Sequence, residues 1–409
     1  MSADVWKATT AALPQSKKGS NKEKMQIEIS KNNVLIYIAY ILINLYYGIT
    51  DTVLNIGGSF LILVASLGLT MVHIMFRNKF SVKRTVLVLA LLGMFAYNYL
   101  HSKDSRMLAL IITIVGIKDL ELENVLKVTF YEKIIVTLMV MAASVVGIGN
   151  ASFGPSPILG FSHGNLLMLT ITVLIMLYLC IYWKKVTGKI LLALLGFIFM
   201  AFLITGSRSG LLISLAIWGL GFLYKYYRIE RFLEIAAKYA MPVLMLLNLH
   251  FALSTSQNIL IFLDKIPGFA EKYNQFVLML DEVLTHRFKL ANLVMTNSDI
   301  SWLGSVKNER ELAIYKYLVV DSGYIQLLLV FGILGTVLFL LLNHLLAKEL
   351  IKRRQYVYII ALIGISLYAF TENALCSLKY NFTLLFFILF FQPDVKYKIL
   401  NIFLRRDKK

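Results

Sequence analysis

From Val34 to Phe391 the chain alternates long apolar runs with short polar connectors. A helix that crosses a membrane needs roughly 20 apolar residues, or fewer when its flanks snorkel. By that length the runs predict about twelve crossings: Val34–Ile49, Ile56–Phe76, Thr85–Leu100, Met107–Ile117, Ile134–Gly149, Leu166–Trp183, Ile190–Ile204, Leu211–Tyr224, Tyr239–Leu253, Tyr324–Leu346, Tyr356–Phe370 and Phe382–Phe391. The runs are continuous, unlike the alternating units of about 10 residues in a transmembrane barrel. The expected fold is all-α, a polytopic membrane helical bundle over residues 34–393. One stretch breaks the pattern. Residues 254–323 form the one large hydrophilic region, and within it Tyr273, Phe276, Leu280, Val283, Leu284, Phe288, Ala291 and Met295 recur at helical spacing. That periodicity predicts an amphipathic helix lying on the membrane surface or on the bundle.

Composition agrees with this pattern. The chain has 409 residues, of which 58% are hydrophobic and 16% charged, and its mean hydropathy is +0.72. Soluble domains are about a quarter charged. The net charge of +18 sits mostly in short connectors, so it reads as the positive-inside bias of a membrane protein and not as a nucleic-acid surface. Lys79, Lys83 and Arg84 mark one such connector, Lys184, Lys185 and Lys189 another, and Lys348, Lys352 and Arg353 a third. If the spans alternate, these connectors share a side with a disordered basic tail at 1–33 and a basic tail at 394–409, which makes both termini cytoplasmic. The segment 254–323 is then extracytoplasmic. The two cysteines, Cys180 and Cys376, imply no disulfide framework. The scattered histidines lack metal-ligand spacing, so no metal is expected.

The candidate chemistry lies on the expected outer side. Thr205-Gly206-Ser207-Arg208-Ser209-Gly210 squeezes an arginine between two apolar runs. Such a charge is costly unless it faces protein, water or an anion. Its small neighbours, Ser207 and Ser209 included, let the backbone turn and a bulky ligand approach. Gly160-Phe161-Ser162-His163-Gly164-Asn165 enters the sixth run after Pro155 and Pro157. The hydrophilic segment carries His286-Arg287-Phe288-Lys289 and Trp302-Leu303-Gly304-Ser305, and Asp321-Ser322-Gly323-Tyr324 leads into a run containing Phe331-Gly332-Ile333-Leu334-Gly335. Glu372 opens the last outer turn.

The order and spacing of these motifs resemble the bacterial O-antigen ligase and O-antigen or capsular polysaccharide polymerase superfamily, over roughly Pro155 to Leu346. Where ligases of that superfamily typically carry a His-Asn pair, this chain has Asp321-Ser322, which favours the polymerase branch. The resemblance implies an enzyme of the bacterial cytoplasmic membrane that transfers a glycan from a polyprenyl-diphosphate carrier to a sugar hydroxyl of another lipid-linked repeat unit. Its partners would be the polyprenyl-diphosphate-linked oligosaccharide, membrane lipid, a chain-length regulator and a flippase. No cofactor is expected, because the diphosphate linkage is already activated and the chain has no Walker loop or dinucleotide fingerprint.

Under that reading Arg208 and Arg287 are the candidates to meet the diphosphate, since guanidinium suits bidentate phosphate contacts. Ser207, Ser209, Asn165 and Tyr324 join them as substrate-binding residues, with Tyr324, Trp302 and Tyr380 as sugar-stacking surfaces. A general base is needed for the acceptor hydroxyl; Asp321 is the first choice, Glu372 the second and His163 the third. Each has a plainer alternative. Arg208 is also placed to snorkel or cap, Arg287 to face water from an amphipathic helix, and Asp321 and Glu372 to cap helices. Gly332 and Gly335 read as helix-packing positions. A ligase and a lipid-linked oligosaccharide flippase remain the rival functions.

Overall fold

The computed structural model describes residues 33–55, 58–77, 82–102, 104–148, 158–255, 269–298, 300–304 and 321–392. The basic tails, Pro155, Pro157, Ser305 and much of the hydrophilic segment lie outside them. Among the described residues the chain is helical without strands: α1 (Val34–Ile49), α2 (Phe60–Arg77), α3 (Val82–Ser102), α4 (Arg106–Ile117), α5 (Leu122–Val146), α6 (Gly164–Tyr182), α7 (Gly188–Thr205), α8 (Arg208–Tyr226), α9 (Glu230–Ser254), α10 (Phe269–Val283), α11 (Arg287–Thr296), α12 (Gly323–Lys352) and α13 (Tyr356–Thr371), then a 3-10 helix, Phe382–Phe390. Seven of these, α3, α5, α6, α7, α8, α9 and α12, are long and apolar enough to cross a membrane. The apolar helices α1, α2, α4 and α13 are shorter.

The bundle closes around α12, α13 and the 3-10 helix. Helix α13 packs on α9, α8 and α12, while α1 packs on α2 and α5. The last predicted crossing takes a different form from the one its hydropathy suggests. Phe382–Phe390 is a nine-residue 3-10 helix, a conformation seldom sustained beyond 3–4 residues, with a rise of about 2 Å each. It therefore covers about 18 Å, short of the roughly 30 Å hydrocarbon core. Residues 382–389 are buried between α4, α5, α12 and α13. Asn381 Oδ1 accepts from Thr383 N at 3.1 Å at one end, and Arg353 donates to the carbonyls of Leu389 and Gln392 at the other. An apolar run buried over residues 382–389 has the composition of a crossing without its length.

Helix α12 is broken at Gly332, whose φ of 70° and ψ of −175° leave the helical region. Residues 301–304 fill the break. Ile333 N donates to Ser301 O at 3.1 Å and Leu334 N to Trp302 O at 3.0 Å, while Asn98 Nδ2 reaches both Leu303 O and Val330 O. A Cβ on Gly332 would lie 2.3 Å from Gly304 N, and one on Gly304 2.2 Å from Val330 O. Gly332 is thus a helix breaker that admits a loop, where the sequence suggested helix-on-helix packing. Two motifs read separately in the sequence are one tertiary contact.

The bundle has two chemically distinct ends. At one, Trp183 stacks on Tyr224 with Lys225 over its face at 5.4 Å. The other gathers the starts of α6, α8, α11 and α12 with the ends of α1, α7 and α13.

Candidate functional site

Arg287 owes its position to a bend that helical periodicity alone does not reveal. The single amphipathic helix expected across Tyr273–Met295 is two, α10 and α11, separated by Thr285 and His286 with φ of 58° and 61°. A β-branched residue rarely takes that left-handed conformation. The bend lets Asp281, at the end of α10, cap α11: its Oδ1 accepts from Phe288 N at 2.7 Å and Lys289 N at 3.3 Å. Phe288 then packs against Phe251 and Phe370. Arg287, the first residue of α11, is turned inward and only 6% exposed.

Two carboxylates meet it there. Arg287 Nη2 donates to Glu372 Oε1 at 2.8 Å, and Nη1 lies 3.7 Å from Asp321 Oδ2. Among the described residues Nη1 is buried and makes no hydrogen bond, so it meets Asp321 as an ion pair only. Gly323 lets the start of α12 approach the end of α13, since a Cβ there would sit 3.0 Å from Glu372 O. Asn248 of α9 fastens the same junction by donating to Phe370 O at 2.8 Å and accepting from Ser322 Oγ at 2.7 Å. Ser322 Oγ also caps α12 by accepting from Ile325 N.

Burial pushes the Glu372 carboxyl up to about 7 against the opposing pull of Arg287, with Asp321 adding to the rise and Asn165 easing it. A carboxyl balanced near neutrality can take or give a proton. The His163 imidazole is lowered, first by burial and then by Arg287, against the pull of Asp321. His163, Asn165, Arg287, Asp321 and Glu372 therefore share one electrostatic neighbourhood built from α6, α11, α12 and α13. Among the described residues, no three His, Cys, Asp or Glu side chains group so as to hold a metal ion.

The remaining candidates fall elsewhere. Arg208 is exposed at the first turn of α8, and among the described residues nothing pairs with its side chain. It shares the end of the bundle with the Arg287 cluster, because α6 starts against the end of α7; a Cβ on Gly164 would lie 2.2 Å from Thr205 O. Ser207 is buried and its Oγ accepts from Gly210 N at 3.3 Å, a helix cap. Ser209 is half-buried. Tyr324 is corrected from substrate-stacking to core: it is fully buried, and its hydroxyl donates to Ser366 O at 2.7 Å. Tyr380 is buried too, whereas Trp302 is 67% exposed. Sequence reasoning missed Asn248 and Asp281. A lone amide in an apolar run was the available signal for Asn248; Asp281 had none, because its role depends on the bend.

No protein-family model, curated protein or solved structure matches this chain.

Proposed function

We propose that the chain is a polysaccharide repeat-unit polymerase of the bacterial cytoplasmic membrane, a glycosyltransferase that joins polyprenyl-diphosphate-linked oligosaccharides on the extracytoplasmic face. In this reading the apolar helices cross the membrane, the buried 3-10 helix returns the chain within the bundle to Arg353, both termini are cytoplasmic, and residues 254–323 lie outside. The observation that carries it is the convergence of an arginine and two acids from distant segments, Arg287 and Glu372 being 85 positions apart, at the end of the bundle where Arg208 stands unpaired among the described residues.

The charges divide the work. Two carboxylates already occupy Arg287, and a diphosphate entering beside them would meet net negative charge. Arg208 has no such partner among the described residues and sits at a helix N-terminus, where first-turn N–H groups and the helix dipole favour anions. The donor's diphosphate accordingly meets Arg208. Glu372 or Asp321 takes the proton of the acceptor hydroxyl as its oxygen bonds to the anomeric carbon and the carbon–oxygen bond to the diphosphate breaks. Arg287 holds the two acids in place. The apolar cleft lined by Leu87, Phe95, Met107, Ile114, Leu342 and Phe390 suits the isoprenoid chain of the carrier. A flippase provides substrate and a regulator sets length.

The test is elongation by the purified chain in detergent, with diphospholipid-linked repeat units as the only substrate. A ladder of longer lipid-linked glycans, absent with Glu372→Gln, is expected. Identical products from wild type and Glu372→Gln would overturn the reading. Detergent abolishes compartments, so a ladder also excludes pure transport; transfer of finished polymer with no ladder would mark a ligase.

A further inference from the structure

A second charged cluster lies away from the Arg287 site. Glu132 is the eleventh of the 25 residues of α5, near the middle of a helix long and apolar enough to cross a membrane. Both of its carboxylate oxygens are buried, and among the described residues neither has a hydrogen-bond partner. An ionised carboxylate in that condition costs several kcal/mol or more, and an ionisable residue at such depth is a functional candidate by default. Lys133 is next in sequence and its charge bears on Glu132, but no hydrogen bond joins the two. The Lys133 Nζ donates to Lys379 O.

Glu132, Lys133 and Lys379 line one small cavity with Asn44, Thr137 and Thr170. It leaves about 20 Å³ for the centres of water molecules, and one water needs roughly 10–15 Å³. That space admits water and excludes an organic ligand. Two ammonium groups on the wall disfavour a metal cation. The other titratable group near Glu132 is Tyr40 of α1, whose hydroxyl is engaged with Thr129 at 2.6 Å. From α6 and the segment before it, the wall receives only Thr170 and Phe161. The route outward is short. Lys379 Nζ donates to Thr50 O and lies 3.4 Å from Asp51 Oδ2, and the Asp51 side chain is 54% exposed.

We propose that Glu132 is a proton-binding site within the membrane, exchanging with the aqueous phase through water in this cavity and along Lys379 and Asp51. The O–H bond formed on Glu132 is matched by one broken on the cavity water, which regains a proton from solution past Asp51. The site is independent of glycan transfer. It is joined to the Arg287 cluster through the turn from Glu372 to Asn381, which carries Lys379.

Infrared spectroscopy of the purified full chain in lipid nanodiscs tests this. Wild type should show a protonated-carboxyl band that disappears as pH is raised and shifts on ¹³C-glutamate labelling. Glu132→Gln should lose that component. Glu372→Gln should keep it, so the result stands even if Glu132→Gln fails to fold. Asp51→Asn should lengthen the half-time for the band to shift in deuterated buffer. A Glu372→Gln spectrum with no titrating glutamic-acid band overturns the proposal, and so does deuterium exchange that Asp51→Asn leaves unchanged.

Discussion

Arg208 and Arg287 are the two cations that the sequence offers to a diphosphate, and both stand at the start of a helix, α8 and α11. The structure gives them opposite surroundings. Arg287 is 6% exposed and faces two carboxylates; Arg208 is exposed, and among the described residues its side chain is unpaired. A buried, neutralised guanidinium organises its neighbours, whereas a free one is available to a ligand. The two positions should therefore fail in different ways when altered.

Arg287→Ala should do the greater damage. Removing one partner of a buried ion pair costs about 3–5 kcal/mol, because the remaining charge is stranded. Glu372 can escape by binding a proton, so the loss should be smaller at about pH 5 than at about pH 8. Thermal unfolding of the purified variant at the two pH values measures this, and equal losses would mean that Glu372 is not the stranded group. Arg208→Ala should leave stability within about 0.5 kcal/mol, as surface changes do. Elongation should fall by about 100-fold, the effect of removing one donor aimed at developing negative charge. A variant that unfolds early, or elongates normally, would erase the distinction between the two arginines.

The pH profile sharpens the comparison on the side of the acids. With its carboxyl raised to about 7 by burial, Glu372 is a base only above that point, so elongation should increase as pH passes through about 7. Arg287 lowers this value; Arg287→Gln should move the rise to higher pH, and Glu372→Gln should abolish it. Arg208→Gln should leave its midpoint in place. Stability runs the other way. The folded carboxyl lies above its ordinary value of 4.5, so its contribution is full below about pH 4.5 and is lost as pH climbs through about 7. Activity and stability should cross, and Glu372→Gln should flatten both curves.

Much of this arrangement was legible as pattern and little of it as geometry. Apolar runs announced the helices, and small residues around Arg208 announced the turn between α7 and α8, because hydropathy and charge are local. The inward turn of Arg287 depends on two left-handed residues, Thr285 and His286, neither of them a glycine that would mark a break. Phe382–Phe390 carries the hydropathy of a crossing, yet it forms a 3-10 helix buried over residues 382–389, which no periodicity announces. Tyr324 follows Asp321 closely enough to suggest a shared site, yet one helical turn carries its ring into the core. Ser301–Gly304 and Gly332 are legible as glycine motifs; that one fills the break in the other is a tertiary fact.

The smallest predicted effect separates two serines that cap their helices in the same way. Ser207 Oγ accepts from Gly210 N, and Ser322 Oγ accepts from Ile325 N while donating to Asn248 Oδ1. Losing a cap costs about 1 kcal/mol, and leaving a buried acceptor such as Asn248 Oδ1 unpaired adds about 1–3 kcal/mol. Ser322→Ala should therefore destabilise more than Ser207→Ala, by denaturant midpoint at constant slope. The decisive measurement is the activity of Ser207→Ala. A serine that only holds the α8 turn should lose elongation no faster than it loses folded protein, and Ser207→Asp, which restores a capping oxygen, should recover stability. Elongation that stays low in Ser207→Asp while stability returns would mean that the Ser207 hydroxyl meets substrate, and that the turn around Arg208 binds with more than its arginine.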